Sequence, residues 1–230
     1  MVDPYPDTRI VGSGLSRTGT RSVYAAILDL DVTAVHYPFD HATQAALTTG
    51  VPPPVLADHR VLLDISGAAF FERIAGSFAD GRVLHTTRER EQWLDATMDH
   101  YDRLMADWSR EPQRFREFSA WITERTYGSF PVTRTGLAAT FDRQEERAAR
   151  WHRRYPDRFL LCDVFTGEGA DRLPEFVCAS AGTVCAGLPR VSDSDEVTAP
   201  GLERTVLRRR GRRWDIGPAK WRDHREERHD

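Results

Sequence analysis

The stretch Ile10-Val-Gly-Ser-Gly-Leu-Ser-Arg-Thr-Gly-Thr-Arg-Ser22 decides how the rest of the chain is read. A short apolar run breaks into glycines and hydroxyls, then opens a segment in which Val23, Ile27 and Leu30 recur at helical spacing. A strand that empties into a helix N-terminus presents orphan backbone N–H groups and the positive end of the helix dipole, and both favour an anion. The stretch therefore predicts a phosphate cradle. Gly14 and Gly19 have the spacing of a nucleotide-triphosphatase loop, yet Thr20 and Arg21 stand where that motif has Lys followed by Ser or Thr. Lys220 is the only lysine in the chain, so the cation of this loop is Arg17 or Arg21.

Working outward, four more short apolar runs resemble the one that leads into the loop. Arg9 to Gly12, Val32 to His36, Arg60 to Asp64, Arg82 to Thr86 and Phe159 to Val164 read as strands covered on both faces. Amphipathic stretches separate them, which predicts an α/β fold with a parallel sheet of about five strands between helical layers. The clearest helix runs from Glu89 to Trp108, where Trp93, Thr97, Tyr101 and Leu104 share a face that the spacing assigns to the core. From Glu111 to Tyr155 the pattern loosens around Pro112, Gly128, Pro131 and Gly136, with a polar helix from Asp142 to Arg154, and this segment is expected to be a substrate-facing insertion or lid. Residues 186–230 are expected to be irregular, ending in a mixed-charge tail with nothing to bury.

The 230 residues allow one domain with a substantial core. A net charge of −3 gives no global reason to expect nucleic-acid binding, so anion binding here is local. No apolar run approaches the roughly 18 residues that span a bilayer, and the first residues lack a basic segment followed by an apolar one, so a cytoplasmic protein without membrane attachment is expected. Three cysteines, Cys162, Cys178 and Cys185, without a Cys-x-x-Cys pair suggest neither a disulfide framework nor a structural zinc site.

Three segments together resemble the sulfotransferase superfamily, whose members use 3′-phosphoadenosine 5′-phosphosulfate (PAPS) as sulfuryl donor and release adenosine 3′,5′-bisphosphate. Gly14-Leu-Ser-Arg-Thr-Gly-Thr-Arg-Ser22 looks like the bacterial form of the family's 5′-phosphosulfate loop, in which a basic residue precedes a Ser/Thr-Gly-Thr step. Arg82 to Trp93 is similar to the strand, arginine and Trp-bearing helix of the 3′-phosphate site. Tyr155 to Gly169 resembles the late strand and Gly-containing turn. The resemblance implies the P-loop nucleotide-hydrolase-like fold of that family and a small-molecule hydroxyl or amine as acceptor. It requires no metal and leaves a homodimer open.

The resemblance also distributes roles. The amides from Thr18 through Gly19, Thr20 and Arg21 to Ser22 would bind the 5′-phosphate, with the Arg17 guanidinium facing the bridging oxygen and the sulfonate. Arg17 replaces the lysine of many relatives, and a guanidinium, a far poorer proton donor than an ammonium, suits electrostatic stabilisation. Arg88 would hold the 3′-phosphate. The helix that follows carries Ala96 where the family has a serine, with Thr97 next in line. Arg209, Arg210 and Gly211, within Arg208 to Trp214, look like the family's loop that closes over the 3′-phosphate, although a plain basic surface run reads equally well. Asp64 occupies the place of the family's histidine base, and the bacterial members resemble this chain in carrying Asp there. Asp64 also suits a helix N-cap. His36 is the reserve base or, with Tyr37, a substrate contact, and Trp121, Tyr127 and Phe130 are candidate pocket walls. Chain length and the arginine-for-lysine bias suit a bacterial biosynthetic enzyme.

Two other readings compete. A P-loop kinase or nucleotide hydrolase would need the lysine and the adjacent Mg²⁺-binding hydroxyl that the loop lacks. A non-catalytic nucleotide-binding or interaction protein on a degenerate sulfotransferase scaffold would account for Ala96.

Overall fold

Each of the five short apolar runs becomes a strand because both of its faces are covered. A computed structural model describes residues 8–178, together with the backbone of 205–210 and 213–218. The strands are β1 (Thr8–Gly12), β2 (Ala34–His36), β3 (Val61–Leu63), β4 (Asp80–Thr86) and β5 (Phe159–Cys162). They form one parallel sheet in the order β2-β3-β1-β4-β5, with Ile10 opposite Val61 on one side and Arg82 on the other. Ile10, Val11, Val61, Leu62, Leu63, Val83 and Leu84 are inaccessible to solvent. A strand buried on both faces has no polar side to alternate with, which is why these runs read as continuous rather than period-two apolar patterns.

Helices α1 (Thr20–Asp29), α2 (His41–Thr49), α3 (Ile65–Ala68), α4 (Phe71–Gly76), α5 (Arg90–Ala106), α6 (Gln113–Tyr127), α7 (Arg134–Arg154) and α8 (Leu173–Val177) cover the sheet or extend its core. From β1 the chain moves to the far edge at β2, returns to β3 beside β1, and then crosses to β4 and β5 on the other side. In such sheets ligands bind outside the carboxyl ends of the strands where the order reverses, which puts the loop after β1 between those after β3 and β4.

The segment expected to be an insertion or lid is part of the core. Gly128, in the left-handed conformation at φ 86°, is the C-cap of α6, and Thr133 accepts from Gly136 N to start α7, which is 21 residues long. The glycines that suggested a loop are helix punctuation. Phe118, Ile122 and Leu137 from this segment are fully buried in the main cluster with Trp93 and Phe71.

Contacts divide the chain into two units, residues 1–188 and 189–230, where patterning predicts one domain. Within the second, β6 (Thr205–Arg210) and β7 (Arg213–Pro218) form an antiparallel hairpin, so this part of the expected irregular segment is ordered as strand. Among the described residues no helix is long and apolar enough to cross a membrane.

Candidate active site

Three loops meet at the carboxyl edge of the sheet, after β1, β3 and β4. In the first, Leu15 to Thr18 forms a turn closed by Thr18 N and Thr18 Oγ1, both donating to Leu15 O at 3.3 and 2.7 Å. The Thr18 hydroxyl also meets Thr86 Oγ1 at 2.6 Å, and Trp93 Nε1 donates to Ser16 O at 2.8 Å. These bonds hold Arg17 in the left-handed region at φ 73°, a conformation that costs a residue with a side chain about 1–2 kcal/mol. Gly19 follows at φ 94° and serves as the N-cap of α1 without a side-chain cap.

The uncapped start of α1 leaves the amides of Gly19, Thr20, Arg21 and Ser22 without backbone or side-chain acceptors among the described residues. Thr18 departs from expectation because its amide and hydroxyl are both spent inside the turn, so the cradle is made of the four N–H groups after it. Arg17 and Arg21 stand beside it. Burial lowers the Arg17 pKa from its ordinary value, and the charge of Arg21 lowers it further; burial does the same to Arg21. Arg17 Nε is buried with no hydrogen-bond partner. The charge of Asp64 works the other way on both arginines, and an anion beside the four free donors would relieve the rest of their desolvation and mutual repulsion.

Asp64 follows β3 in an extended conformation of positive φ, at φ 72° and ψ −172°, and is 7% exposed. The N-cap reading of it holds geometrically, and one carboxylate oxygen is left over. Its Oδ1 accepts from Ile65 N at 2.8 Å and caps α3, while Oδ2 lies 3.5 Å from His36 Nε2. Burial pushes His36 down to about 4, so at neutral pH the imidazole is uncharged and this approach is a polar contact rather than an ion pair. His36 is also held by Thr20 Oγ1 at 3.0 Å and is only 4% exposed, which makes it a support for Asp64. Tyr37 is tied to Ser119 through its hydroxyl at 2.8 Å and packs among Phe39, Phe115 and Phe118.

One further histidine, which patterning did not single out, feels the charges of these groups. His100 of α5 is pushed down to about 4, first by burial and then by the charges of Arg17 and Arg21, against the pull of Asp64. Its ring packs against Tyr101, with centroids 5.3 Å apart. A lone histidine between Asp99 and Tyr101 carries no motif, and only the packing of α5 across the loop reveals it.

Arg88, two residues past β4, lies over the Phe165 ring at 4.2 Å, and its Nε is buried without a partner. Thr97 is fully buried and its Oγ1 also lacks a partner. It sits one turn after Trp93 on the same face of α5, so the register that brings the indole to the loop brings Thr97 with it. The proposed walls fare differently. Tyr127 is 2% exposed and packed against Trp93 and Tyr101, which makes it core. Trp121 stacks on Phe70, and Phe130 packs on Trp108, so each is partnered by a core aromatic or a helix end. Arg209 and Arg210 lie in β6 of the second unit, and Gly211 falls outside the described residues.

A family model described as a sulfotransferase domain matches residues 9–177, from β1 through α8. The chain belongs to that family. No curated protein matches it. The match to the sulfotransferase family runs through all three loops, and the α/β sheet of five parallel strands is the one the family's P-loop-like fold requires. The residues present suit the family's nucleotide donor. Four free amides and Arg17 would suit one anionic end of it, and the unpartnered Arg88 Nε and Thr97 Oγ1 would offer donors to another.

Proposed function

We propose that this chain moves a sulfuryl group from PAPS to a hydroxyl or amine of a small molecule. The observation that carries this reading is the pairing of an uncapped, arginine-flanked cradle with a carboxylate at the neighbouring strand end. When bound, the donor supplies an activated sulfuryl group. The protein's part is to align the reactants and to neutralise charge.

The amides of Gly19 to Ser22 and the Arg17 guanidinium would hold the 5′ end, and Arg88 with Thr97 the 3′-phosphate. Arg17 remains a cation despite its depressed pKa, because a guanidinium does not deprotonate near neutral pH. Its role is to stabilise negative charge as it develops. Asp64 Oδ2 takes the proton of the acceptor hydroxyl or amine, while Oδ1 stays bonded to Ile65 N and fixes the carboxylate plane. His36 keeps Oδ2 oriented through its 3.5 Å approach and cannot itself reach an acceptor, being buried beneath.

Isothermal titration calorimetry against adenosine 3′,5′-bisphosphate, ATP with Mg²⁺, and NAD tests the reading. Binding of the bisphosphate alone is expected. Tight binding of ATP with Mg²⁺ and none of the bisphosphate would overturn it in favour of phosphoryl chemistry.

A further inference from the structure

Ser13, the first residue after β1, is fully buried and has every polar group engaged. Its N–H donates to Leu84 O at 3.0 Å, and its carbonyl accepts from Gln144 Nε2 at 2.7 Å. Its hydroxyl lies 2.9 Å from His85 Nδ1. The far side of that imidazole continues the chain, with His85 Nε2 at 3.0 Å from Glu145 Oε1, to which Thr87 Oγ1 also donates at 3.0 Å. A carboxylate only accepts, so Nε2 carries a proton, and in that tautomer Nδ1 accepts from the Ser13 hydroxyl. Burial works against ionisation of Glu145, but the bonds from His85 and Thr87 outweigh it and hold the group below the usual carboxylate range.

Serine, histidine and glutamate in this order are the contacts of an activated nucleophile. Ser13 is wholly enclosed, so no substrate carbonyl reaches it. The chain of bonds leads elsewhere, from a half-buried carboxylate on α7 to the base of the anion cradle. Gln144, the preceding residue of α7, grips the same serine through its carbonyl while also donating to Ala68 O at 3.0 Å. Two consecutive side chains of one helix thus hold two different atoms of the residue from which the loop departs.

We propose that Glu145, acting through His85, is a positioning residue for the cradle. It sets the Ser13 hydroxyl and, with it, the direction in which residues 14–19 leave β1 to present the four free amides. The inference rests on the reading of that loop as the phosphate subsite. It assigns to α7 a share in ligand binding that requires no contact with ligand. Glu145 is 37% exposed at its side chain, so truncating it opens no core cavity and its effect is carried by the bond chain.

Glu145→Gln and Glu145→Ala separate the possibilities. Glutamine keeps an oxygen that accepts from His85 and Thr87, so Glu145→Gln is expected to bind adenosine 3′,5′-bisphosphate as the wild type does. Glu145→Ala is expected to weaken binding about tenfold, the scale of one buried hydrogen bond. It should also speed amide hydrogen exchange across residues 14–22 in the ligand-free protein while leaving β1 and β4 unchanged, and release the fixed Nε2–H tautomer in the ¹⁵N spectrum of His85. Wild-type affinity in Glu145→Ala overturns the proposal, and so does an equal loss in Glu145→Gln. If the wild type itself does not bind the bisphosphate, the sulfotransfer reading fails. The loop-exchange comparison then decides the positioning role alone, unchanged exchange in Glu145→Ala refuting it.

Discussion

Replacing Gly14 by alanine puts one methyl group into the tightest approach of the cradle. A Cβ at this position would fall on the Thr86 hydroxyl and lie 2.6 Å from Thr86 O and 2.9 Å from Thr18 Oγ1. Rotation of the Thr86 side chain relieves the first overlap, but it breaks the 2.6 Å bond to Thr18, worth about 0.5–1.5 kcal/mol. The carbonyl cannot rotate away, and the backbone shift it forces is an overpacking cost of about 1–3 kcal/mol. The two costs add up to about 1.5–4.5 kcal/mol of folding stability. At about 2–4 °C per kcal/mol for a chain of this size, Gly14→Ala should melt about 3–18 °C below the wild type. Differential scanning calorimetry of the wild type, Gly14→Ala, Thr86→Ala and the double variant measures this. In the Thr86→Ala background, which already lacks the bond to Thr18, Gly14→Ala is expected to cost only the overpacking part, because the carbonyl of residue 86 remains. A Gly14→Ala protein that melts with the wild type, or a double variant that melts with Thr86→Ala, would refute the claim that backbone proximity makes position 14 a glycine.

Four further outcomes follow from the site. Arg17→Ala and Arg88→Ala should each weaken adenosine 3′,5′-bisphosphate binding by about ten- to a hundredfold, as for a lost charge-assisted hydrogen bond, measured by calorimetry. Asp64→Asn keeps an oxygen to cap α3, so it should bind the bisphosphate normally while lowering its release from PAPS, with a panel of phenols and amines as acceptors, by about 10²–10⁴-fold; normal turnover would remove Asp64 as base. Burial holds His36 at about 4 in the fold against an ordinary 6.5, so the unfolded chain takes up this proton first as pH falls. Its contribution is complete above pH 6.5 and is lost between 6.5 and about 4, to the extent of about 3 kcal/mol; His36→Gln should flatten the dependence of Tm on pH across that window.

The sheet was legible because its strands are buried on both faces, which leaves each as a short apolar run between helical stretches. Only the ends shift, β2 starting at Ala34 rather than Val32 and β5 ending at Cys162 rather than Val164. The polar helix from Asp142 to Arg154 was legible as the end of α7, whereas α6 and the first turns of α7 were not. Gly128 and Gly136 interrupt an apolar pattern as loop residues do, but Gly128 is a left-handed C-cap of α6, and Gly136 lies in the first turn of α7, where a Cβ would come 3.1 Å from Thr133 Oγ1 and 3.2 Å from Tyr127 O. Once that segment was read as loop, its aromatics looked like pocket walls, whereas Tyr127 closes the last turn of α6 against Trp93. The site divides along the same line. Arg17, Asp64 and Arg88 each follow a strand, and local sequence places them at one sheet edge. Ser13 and Gln144 are 131 positions apart, and no local pattern couples them.

Backbone strain falls where those strand ends converge. Apart from Asp31, the non-glycine residues with positive φ among those described are Arg17 after β1, Tyr37 after β2 and Asp64 after β3. Each carries about 1–3 kcal/mol of conformational cost and persists only where neighbouring bonds over-determine it. Those bonds are present at all three, from Trp93 to Ser16 O, from Tyr37 to Ser119 and to Leu63 O, and from Ile65 to Asp64. A sequence optimised for stability alone would put glycine or asparagine at such positions. An arginine, a tyrosine and an aspartate held there instead project a cation, an aromatic hydroxyl and a carboxylate from three adjacent strand ends, and the fold accepts the strain in exchange for that placement.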